Sequence, residues 1–204
     1  GLILGTIAAI KRSSALDTGA MTLAVIGVSV PSFIIGALLQ YILALKFRQW
    51  FGIDFFPVMG WKTEAAKILP AIALGLSSMA TVARLMRTSM LDVLGQDYIK
   101  TAKAKGLSQK AIVWRHAIRN AIMPVITVMG PLVAAVLTGS FVVENIFAIP
   151  GMGKFFVLAI KELDYTLIAG TTVFYGAFLV IAVLVVDLLY GLIDPRVKLA
   201  DVKE

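Results

Sequence analysis

The chain has 204 residues, of which 59% are hydrophobic and 15% charged, and its formal net charge is +7. A typical soluble domain is about 45–50% apolar and about 25% charged, so this composition excludes a soluble fold. The chain has no cysteine, which excludes disulfides and thiolate metal sites. The positive charge does not indicate nucleic-acid binding, because no aromatic and basic platform of the single-strand type accompanies it. We expect the basic residues to mark cytoplasmic loops.

The N-terminal part of the chain predicts one complete membrane span. Gly1 to Ile10 is apolar but shorter than the about 20 residues that a spanning helix needs. We expect it to be the tail of a helix in a chain that is truncated at its N-terminus. No charge occurs from Thr18 to Leu45, which predicts a tilted span with a kink at Pro31. Lys46 to Lys67 is predicted to be an interfacial loop, because its aromatic residues prefer the headgroup region.

Three further spans follow. The second carries Arg84 and Arg87 at its end, where both are expected to snorkel to the interface. The third contains Pro124 and Pro131, and a loop from Glu144 to Asp164 separates it from the fourth. We therefore predict an all-α, polytopic transmembrane helical bundle in one domain, residues 1–204, with spans at about 18–45, 66–87, 120–143 and 165–192.

Lysine and arginine are unequally divided between the two sides that this topology defines. Thirteen lie on the side of the Arg84–Arg119 stretch and the C-terminus, and six lie on the other side. The positive-inside rule therefore predicts that the Arg84–Arg119 stretch and the C-terminus are cytoplasmic.

The segment between the second and third spans, at about residues 89–119, predicts two short helices. The first is expected to end at Gly106, a residue suited to the left-handed position after a helix. Ser108 is a good N-cap for the second, and Leu107 with Ile112 has the spacing of a hydrophobic staple. A helix–glycine–helix of this kind suits docking to a soluble partner. A basic amphipathic helix on anionic lipid is the alternative, and periodicity does not decide between them.

Several ordered motifs resemble one family of transporters. KTAKAKG, followed by a basic and apolar helix and Pro124, resembles the EAA coupling motif of ABC importer permeases. The flanking motifs RTSMLDVLGQDYIKTAKAKGL, RHAIRNAIMPV, VVENIFAIPGMG and VVDLLYGLIDPRV resemble permeases of the dipeptide, oligopeptide and nickel importer family. The resemblance covers the whole chain and implies a fold like that of type I ABC importer permeases, with a cytoplasmic coupling helix.

The resemblance also implies roles for particular residues. The coupling helix of the family fits a groove in a separate ATPase subunit, and this role carries over to Thr101, Ala102, Ala104, Gly106 and Leu107. The general motif differs here, with Lys100 in place of its leading Glu, Thr101 in place of its second Ala, and a later proline. In the family the 144–153 loop lies on the outer face near the pore mouth, which makes Glu144, Pro150, Gly151 and Gly153 candidate gate residues.

The partners that the resemblance implies are separate chains. They are a second, related permease subunit that forms a heterodimer, two ATP-binding subunits that hold ATP and Mg²⁺, and an extracytoplasmic solute-binding protein. The implied mechanism is alternating access in a bacterial or archaeal inner membrane, within which the chain is multi-pass. The cargo would be short peptides or a related solute such as nickel.

The chain itself offers no catalytic motif. GMGK at Gly151 to Lys154 fails as a phosphate loop, because the positions that need an earlier Gly and a following Ser or Thr hold Ala148 and Phe155. His116, the single histidine, lies among cations and cannot build a metal site. We therefore expect no catalytic residue, no metal and no cofactor in this chain.

Charged residues at the cytoplasmic ends of the spans are predicted to be structural: Arg84, Arg87, Asp187, Asp194 and Arg196. Among them, Asp187 is expected either to reach the interface or to pair with Arg84 or Arg87. Polar side chains also occur within the predicted spans, where they either join helices or line a path; Gln40, Thr138 and Thr171 are among them.

Two other functions remain open from the residues alone. A gradient-driven channel or secondary transporter would work without an ATPase, through intramembrane ionisable residues of which Asp187 is the one candidate. A non-transporting membrane scaffold would use the basic segment to recruit a partner.

Overall fold

The computed structural model describes residues 1–137 and 140–193, and all regular structure in these ranges is helical. The predicted all-α class is therefore confirmed. The helices are α1 Leu2–Ile10, α2 Ala15–Ser29, α3 Ser32–Leu39, α4 Phe47–Phe51, α5 Glu64–Leu94, α6 Asp97–Ala104, α7 Gln109–Ala111, α8 Ile118–Ala121, α9 Met123–Leu137, α10 Phe141–Ile146, α11 Met152–Glu162 and α12 Tyr165–Ile193. Two π-helical turns join neighbouring helices, π1 Gln40–Lys46 and π2 Ile112–Ala117.

Helix length and hydropathy identify the candidate membrane spans among the described residues. The helix α5 and the Tyr165–Val185 part of α12 are each long and apolar enough, with mean hydropathies of 1.6 and 2.3. Two bent pairs pass the same test together, Ala15–Ser29 with Ser32–Phe51 and Gln109–Ala121 with Met123–Val133. If each bent pair is one span, the chain has four.

The predicted kink at Pro31 is a complete break in the helix. The helix α2 ends at Ser29, Pro31 has the extended dihedrals φ −55° and ψ 138°, and Ser32 begins the next helix. The two parts are bent by 105°. Proline lacks a backbone N–H and clashes with the preceding turn, and the residue before it also avoids helical dihedrals, so a break is physically consistent with this sequence.

The prediction of a loop from Glu144 to Asp164 was wrong, because most of this stretch is helical. The helix α10 begins after Ser140, whose Oγ accepts a hydrogen bond from the N–H of Val143 at 3.4 Å. The helix α11 ends at Glu162 and is followed by Leu163, which has a left-handed φ of +56°. That position usually holds Gly or Asn, so the sequence lacked the signal that normally marks the end of a helix.

The chain divides into two compact units. The first contains Gly1–Val25, Met79–Leu132 and the end of α12. Met86 and Met90 of α5 are fully buried in its core with Ile99 of α6, Ile112 of π2 and Val125 of α9. This core anchors the segment that connects α5 to α9.

The second unit contains Ile26–Ser78 and Val133–Val180. Leu69 of α5 packs in its core with Val143 and Phe147. The side-chain amide of Gln40 donates hydrogen bonds to the carbonyl oxygens of Val58 at 2.7 Å and Ile146 at 3.0 Å. Gln40 therefore ties the loop after α4 to the end of α10, a role that its sequence context did not indicate.

Candidate functional site

Gly106 forms the turn between α6 and α7. Its φ is +78°, its N–H donates to the carbonyl oxygen of Lys103 at 2.9 Å, and the N–H of Leu107 donates to that of Ala102 at 3.2 Å. This pair of hydrogen bonds is the Schellman pattern that ends a helix. A Cβ added at Gly106 would meet nothing within 4 Å. The prediction that the first helix ends at Gly106 is confirmed, and the space in front of it is open.

Ser108 starts the second helix, as the sequence predicts. Its backbone is extended, and its Oγ accepts a hydrogen bond from the N–H of Ala111 at 3.3 Å. Leu107 packs against the same core that contains Ile112. Local capping chemistry on both sides of Gly106 therefore fixes the course of the chain through this turn.

The helix α6 has an inner face and an outer face. Ile99 is 0% exposed and Ala102 is 7% exposed, and both belong to the core of the first unit. Thr101, Ala104 and Gly106 are exposed on the other side. Of the five residues that the resemblance implies for coupling, these three are therefore available to a partner, whereas Ala102 and Leu107 hold the segment in place.

Lys100 occupies the position at which the general coupling motif has a glutamate. Its Nζ lies 2.8 Å from Oδ1 of Asp97, and both side chains are exposed. Exposed ion pairs of this kind contribute little to stability. The cation at residue 100 is thus paired within its own helix.

An ion pair anchors α5 to the first turn of α2. Nε of Arg87 lies 2.6 Å from Oδ1 of Asp17, and its Nη2 lies 2.7 Å from Oδ2. Asp17 is 3% exposed, and its Oδ2 also accepts a hydrogen bond from the N–H of Ser13 at 2.9 Å. A buried carboxylate therefore binds Arg87 in a bidentate arrangement, and the prediction that Arg87 snorkels to the interface stays a prediction. Asp17 was missed, since 70 residues separate the pair and no local spacing connects them.

The other charged residues that were predicted to be structural differ in whether the structure describes them. Arg84 is exposed on α5. Asp187 lies on α12, but its side chain is outside the described part of the structure, and Asp194 and Arg196 lie outside the described residues altogether. Their predicted anchoring roles stay predictions.

The 144–153 loop is organised around one carboxylate. Oε2 of Glu144 accepts a hydrogen bond from the N–H of Gly153 at 2.8 Å. A Cβ at Gly153 would lie 2.7 Å from that oxygen, and a Cβ at Gly151 would overlap the same carboxylate group. The glycines therefore make room for Glu144, which stabilises the N-terminus of α11 with its negative charge.

Pro150 is exposed and lines a hollow of about 410 Å³ with Trp61, Lys62 and Ala148. The structure thus brings Glu144, Gly151 and Gly153 into contact and leaves Pro150 at the surface. Among the described residues, no three side chains of His, Asp or Glu come together as a metal-binding group.

Comparison with known proteins identifies the family. Residues 1–199 match the family described as the binding-protein-dependent transport system inner membrane component. The dipeptide transport system permease protein DppB of Bacillus subtilis is 55% identical over 199 residues, which are 98% of this chain and 63% of that protein. DppB of Lactococcus lactis is 42% identical over 98% of this chain and 64% of its own length.

The oligopeptide transport system permease protein OppB of Salmonella typhimurium is 40% identical over 200 residues, 97% of this chain and 63% of that protein. The chain thus spans slightly less than two thirds of the length of these relatives. The resemblance drawn from the sequence motifs is confirmed, and with it the membrane-spanning helical fold class. The chain belongs to the family of binding-protein-dependent transport system inner membrane components.

Proposed function

We propose that this chain is part of the transmembrane permease subunit of an ATP-driven importer of short peptides. The observation that carries the proposal is the 55% identity to a dipeptide permease over 98% of the chain. The subunit would form half of the translocation path, and the path would open to each side of the inner membrane in turn.

The energy for this cycle would come from two partner ATPase subunits that bind ATP and Mg²⁺. The outer face of α6 is the surface that we assign to this contact. Thr101, Ala104 and Gly106 are exposed and small, and no side chain extends from Gly106, so another protein's backbone can approach closely. Ile99 and Ala102 share one buried core with residues of α5, π2 and α9, and this packing would transmit a displacement of the ATPase to the spans.

Membership of the same family supports the remaining partners that we propose. A second, homologous permease subunit would complete the path, and an extracytoplasmic solute-binding protein would deliver the peptide. The distribution of Lys and Arg supports a cytoplasmic location for α6 and the C-terminus. The 144–153 loop would then face outward, where the turn that Glu144 organises could contact the gate or the delivered peptide.

Uptake by the assembled complex tests the transport function. The full-length subunit would be reconstituted with its partner permease, ATPase subunits and binding protein, and uptake of a labelled dipeptide would be measured with and without ATP. We expect uptake that requires both ATP and the binding protein. Flux down a gradient in the absence of the ATPase subunits would contradict the proposal and favour a channel or secondary transporter.

Crosslinking tests the assigned contact. The chain has no cysteine, so a single cysteine can be placed by Ala104→Cys on the exposed face of α6. Ala102→Cys is a matched control two residues away, because Ala102 is 7% exposed. We expect a specific crosslink to an ATPase subunit from residue 104 and none from residue 102. Equal crosslinking from both positions, or none from residue 104, would remove the coupling role from this face.

A further inference from the structure

The helical stretch from Gln109 to Ala121 has two chemically different faces. Ile112, Val113, Ala117 and Ala121 are buried in the core of the first unit. The opposite side exposes three cations and a tryptophan, which we call the basic face: Lys110, Trp114, Arg115 and Arg119. Trp114 is 71% exposed, so its ring does not contribute to the core of this chain.

The charge of the basic face is uncompensated within the described part of the chain. None of its three cations forms an ion pair with a described carboxylate. From Tyr98 to Val143 the sequence contains six Lys or Arg residues and neither Asp nor Glu. The preceding acidic residue, Asp97, forms an ion pair with Lys100 of its own helix and not with the basic face. The surface therefore complements an anion and has no anion of its own.

The basic face is followed along the chain by an apolar helix. Gln109–Ala121 and Met123–Val133 form one apolar pair bent by 52°, and Pro124 lies in the first turn of the second helix, where proline is tolerated. We take the apolar Met123–Val133 half of this pair to enter the membrane and the half that carries the basic face to lie at its surface, because three cations within the bilayer would be costly. Tryptophan is enriched at this depth, and anionic lipids there attract basic segments.

We propose that the basic face is a binding site for the headgroup of an anionic phospholipid. The guanidinium groups of Arg115 and Arg119 suit the phosphate oxygens, because arginine presents several donors in a fixed plane. Lys110 adds a third cation, and the indole of Trp114 packs at the level of the headgroups with its N–H free to donate. The site does not depend on which solute is transported, and it leaves the outer face of α6 available to a protein partner.

Photocrosslinking with lipids tests this site in the assembled complex. The complex would be reconstituted in vesicles that contain, at equal mole fraction, either phosphatidylglycerol or phosphatidylcholine with a photoactivatable group on the headgroup. Labelled residues would be mapped by mass spectrometry. Each cation close to an anionic surface favours binding by roughly fivefold, so we expect labelling of residues 110–119 to prefer phosphatidylglycerol by at least about tenfold.

Two sets of substitutions make the test specific. The triple variant Lys110→Gln, Arg115→Gln, Arg119→Gln should reduce the preference for phosphatidylglycerol to near one. The matched variant Arg48→Gln, Lys62→Gln, Lys154→Gln removes three exposed cations from the other unit and should leave labelling of residues 110–119 unchanged. This variant also reports general damage to the complex.

Three results would overturn the proposal. The first is equal labelling of residues 110–119 by both lipids. The second is labelling that appears only after the ATPase subunits are removed, because a protein would then cover the basic face. The third is an unchanged preference in the triple variant. Transport is not the readout, so failure of this site is distinguishable from failure of the proposed function.

Discussion

A glycine at residue 106 can serve for two reasons: it tolerates left-handed backbone, and it has no side chain that would keep another protein away. Its φ of +78° requires a residue that tolerates left-handed backbone, whereas the open space around its Cα places no limit on side-chain size within this chain. The sequence predicted both Gly106 and Ser108 because helix caps depend on residues a few positions apart. The pairing of Asp17 with Arg87 could not be predicted in this way, since it depends on the tertiary fold.

Substitutions at Gly106 can distinguish the need for left-handed backbone from the need for close contact with a partner protein. Gly106→Val should lower the free energy of unfolding by about 1–2 kcal/mol, the cost of left-handed backbone for a residue with a Cβ. Gly106→Asn should cost less, because asparagine adopts this conformation more readily. Thermal unfolding of the purified complex measures both.

ATP-dependent uptake then shows whether another protein makes close contact at Gly106. If another protein's backbone approaches Gly106, the Asn variant should retain its stability and lose most ATP-dependent uptake. Normal uptake by a stable Gly106→Asn complex would contradict a close approach at this position.

At the scale of single elements, the long apolar helices and the two short helices beside Gly106 were predicted, whereas the short helices α10 and α11 were not. The predicted second and fourth spans lie within α5 and α12. The helix α11 was missed because its N-terminus depends on Glu144, nine residues before Gly153, and its C-terminus depends on the unusual backbone of Leu163. A cap supplied by a side chain outside the helix has no local sequence pattern.

The contact between Glu144 and the glycines of its loop predicts non-additive substitutions. Gly151→Ala should destabilise the complex, because the added Cβ overlaps the Glu144 carboxylate. Glu144→Ala should cost about 1.5–3 kcal/mol through loss of a charge-assisted hydrogen bond. In the double variant the overlap is gone, so the loss should be smaller than the sum of the two. Strict additivity in unfolding measurements would show that residues 144 and 151 do not contact each other.

The ion pair between Asp17 and Arg87 predicts a second set of effects. Arg87→Met should lower the melting temperature of the complex, because it leaves a buried carboxylate without its partner. Adding Asp17→Asn should recover part of the loss. Arg84→Met is the matched control on the same helix, since Arg84 is exposed and its removal should change the melting temperature little. An equal effect at both arginines would indicate that the ion pair is not the cause.

For the whole molecule, the composition indicated a membrane protein, and the sequence motifs indicated the family of transporter permeases to which it belongs. The proposed partners could not be derived from the composition, because composition does not show which exposed residues another protein would cover. In the candidate span of α12, only 6% of the most apolar stretch is buried within the chain. That surface needs lipid or another subunit, and nothing in its own residues distinguishes the two.

Orientation is a prediction at this scale. A cysteine introduced by Ala104→Cys should react with a membrane-impermeant maleimide in inverted vesicles and not in intact cells. Lys62→Cys should show the opposite pattern, because the loop from residue 52 to residue 63 is expected on the outer side. Both positions are exposed and the chain has no other cysteine. Labelling of residue 104 from outside would reverse the orientation.

The turns π1 and π2 have wider backbone hydrogen bonding than the α-helices beside them. In each, an N–H bonds to a carbonyl five residues back, Phe47 to Ile42 and Ile118 to Val113, whereas an α-helix uses four. A wide turn of this kind accommodates one residue more than a turn of regular α-helix. Deleting one residue there should restore regular spacing and leave both neighbours in place. The same deletion before Met86 would rotate the core side chains of α5 by about 100°.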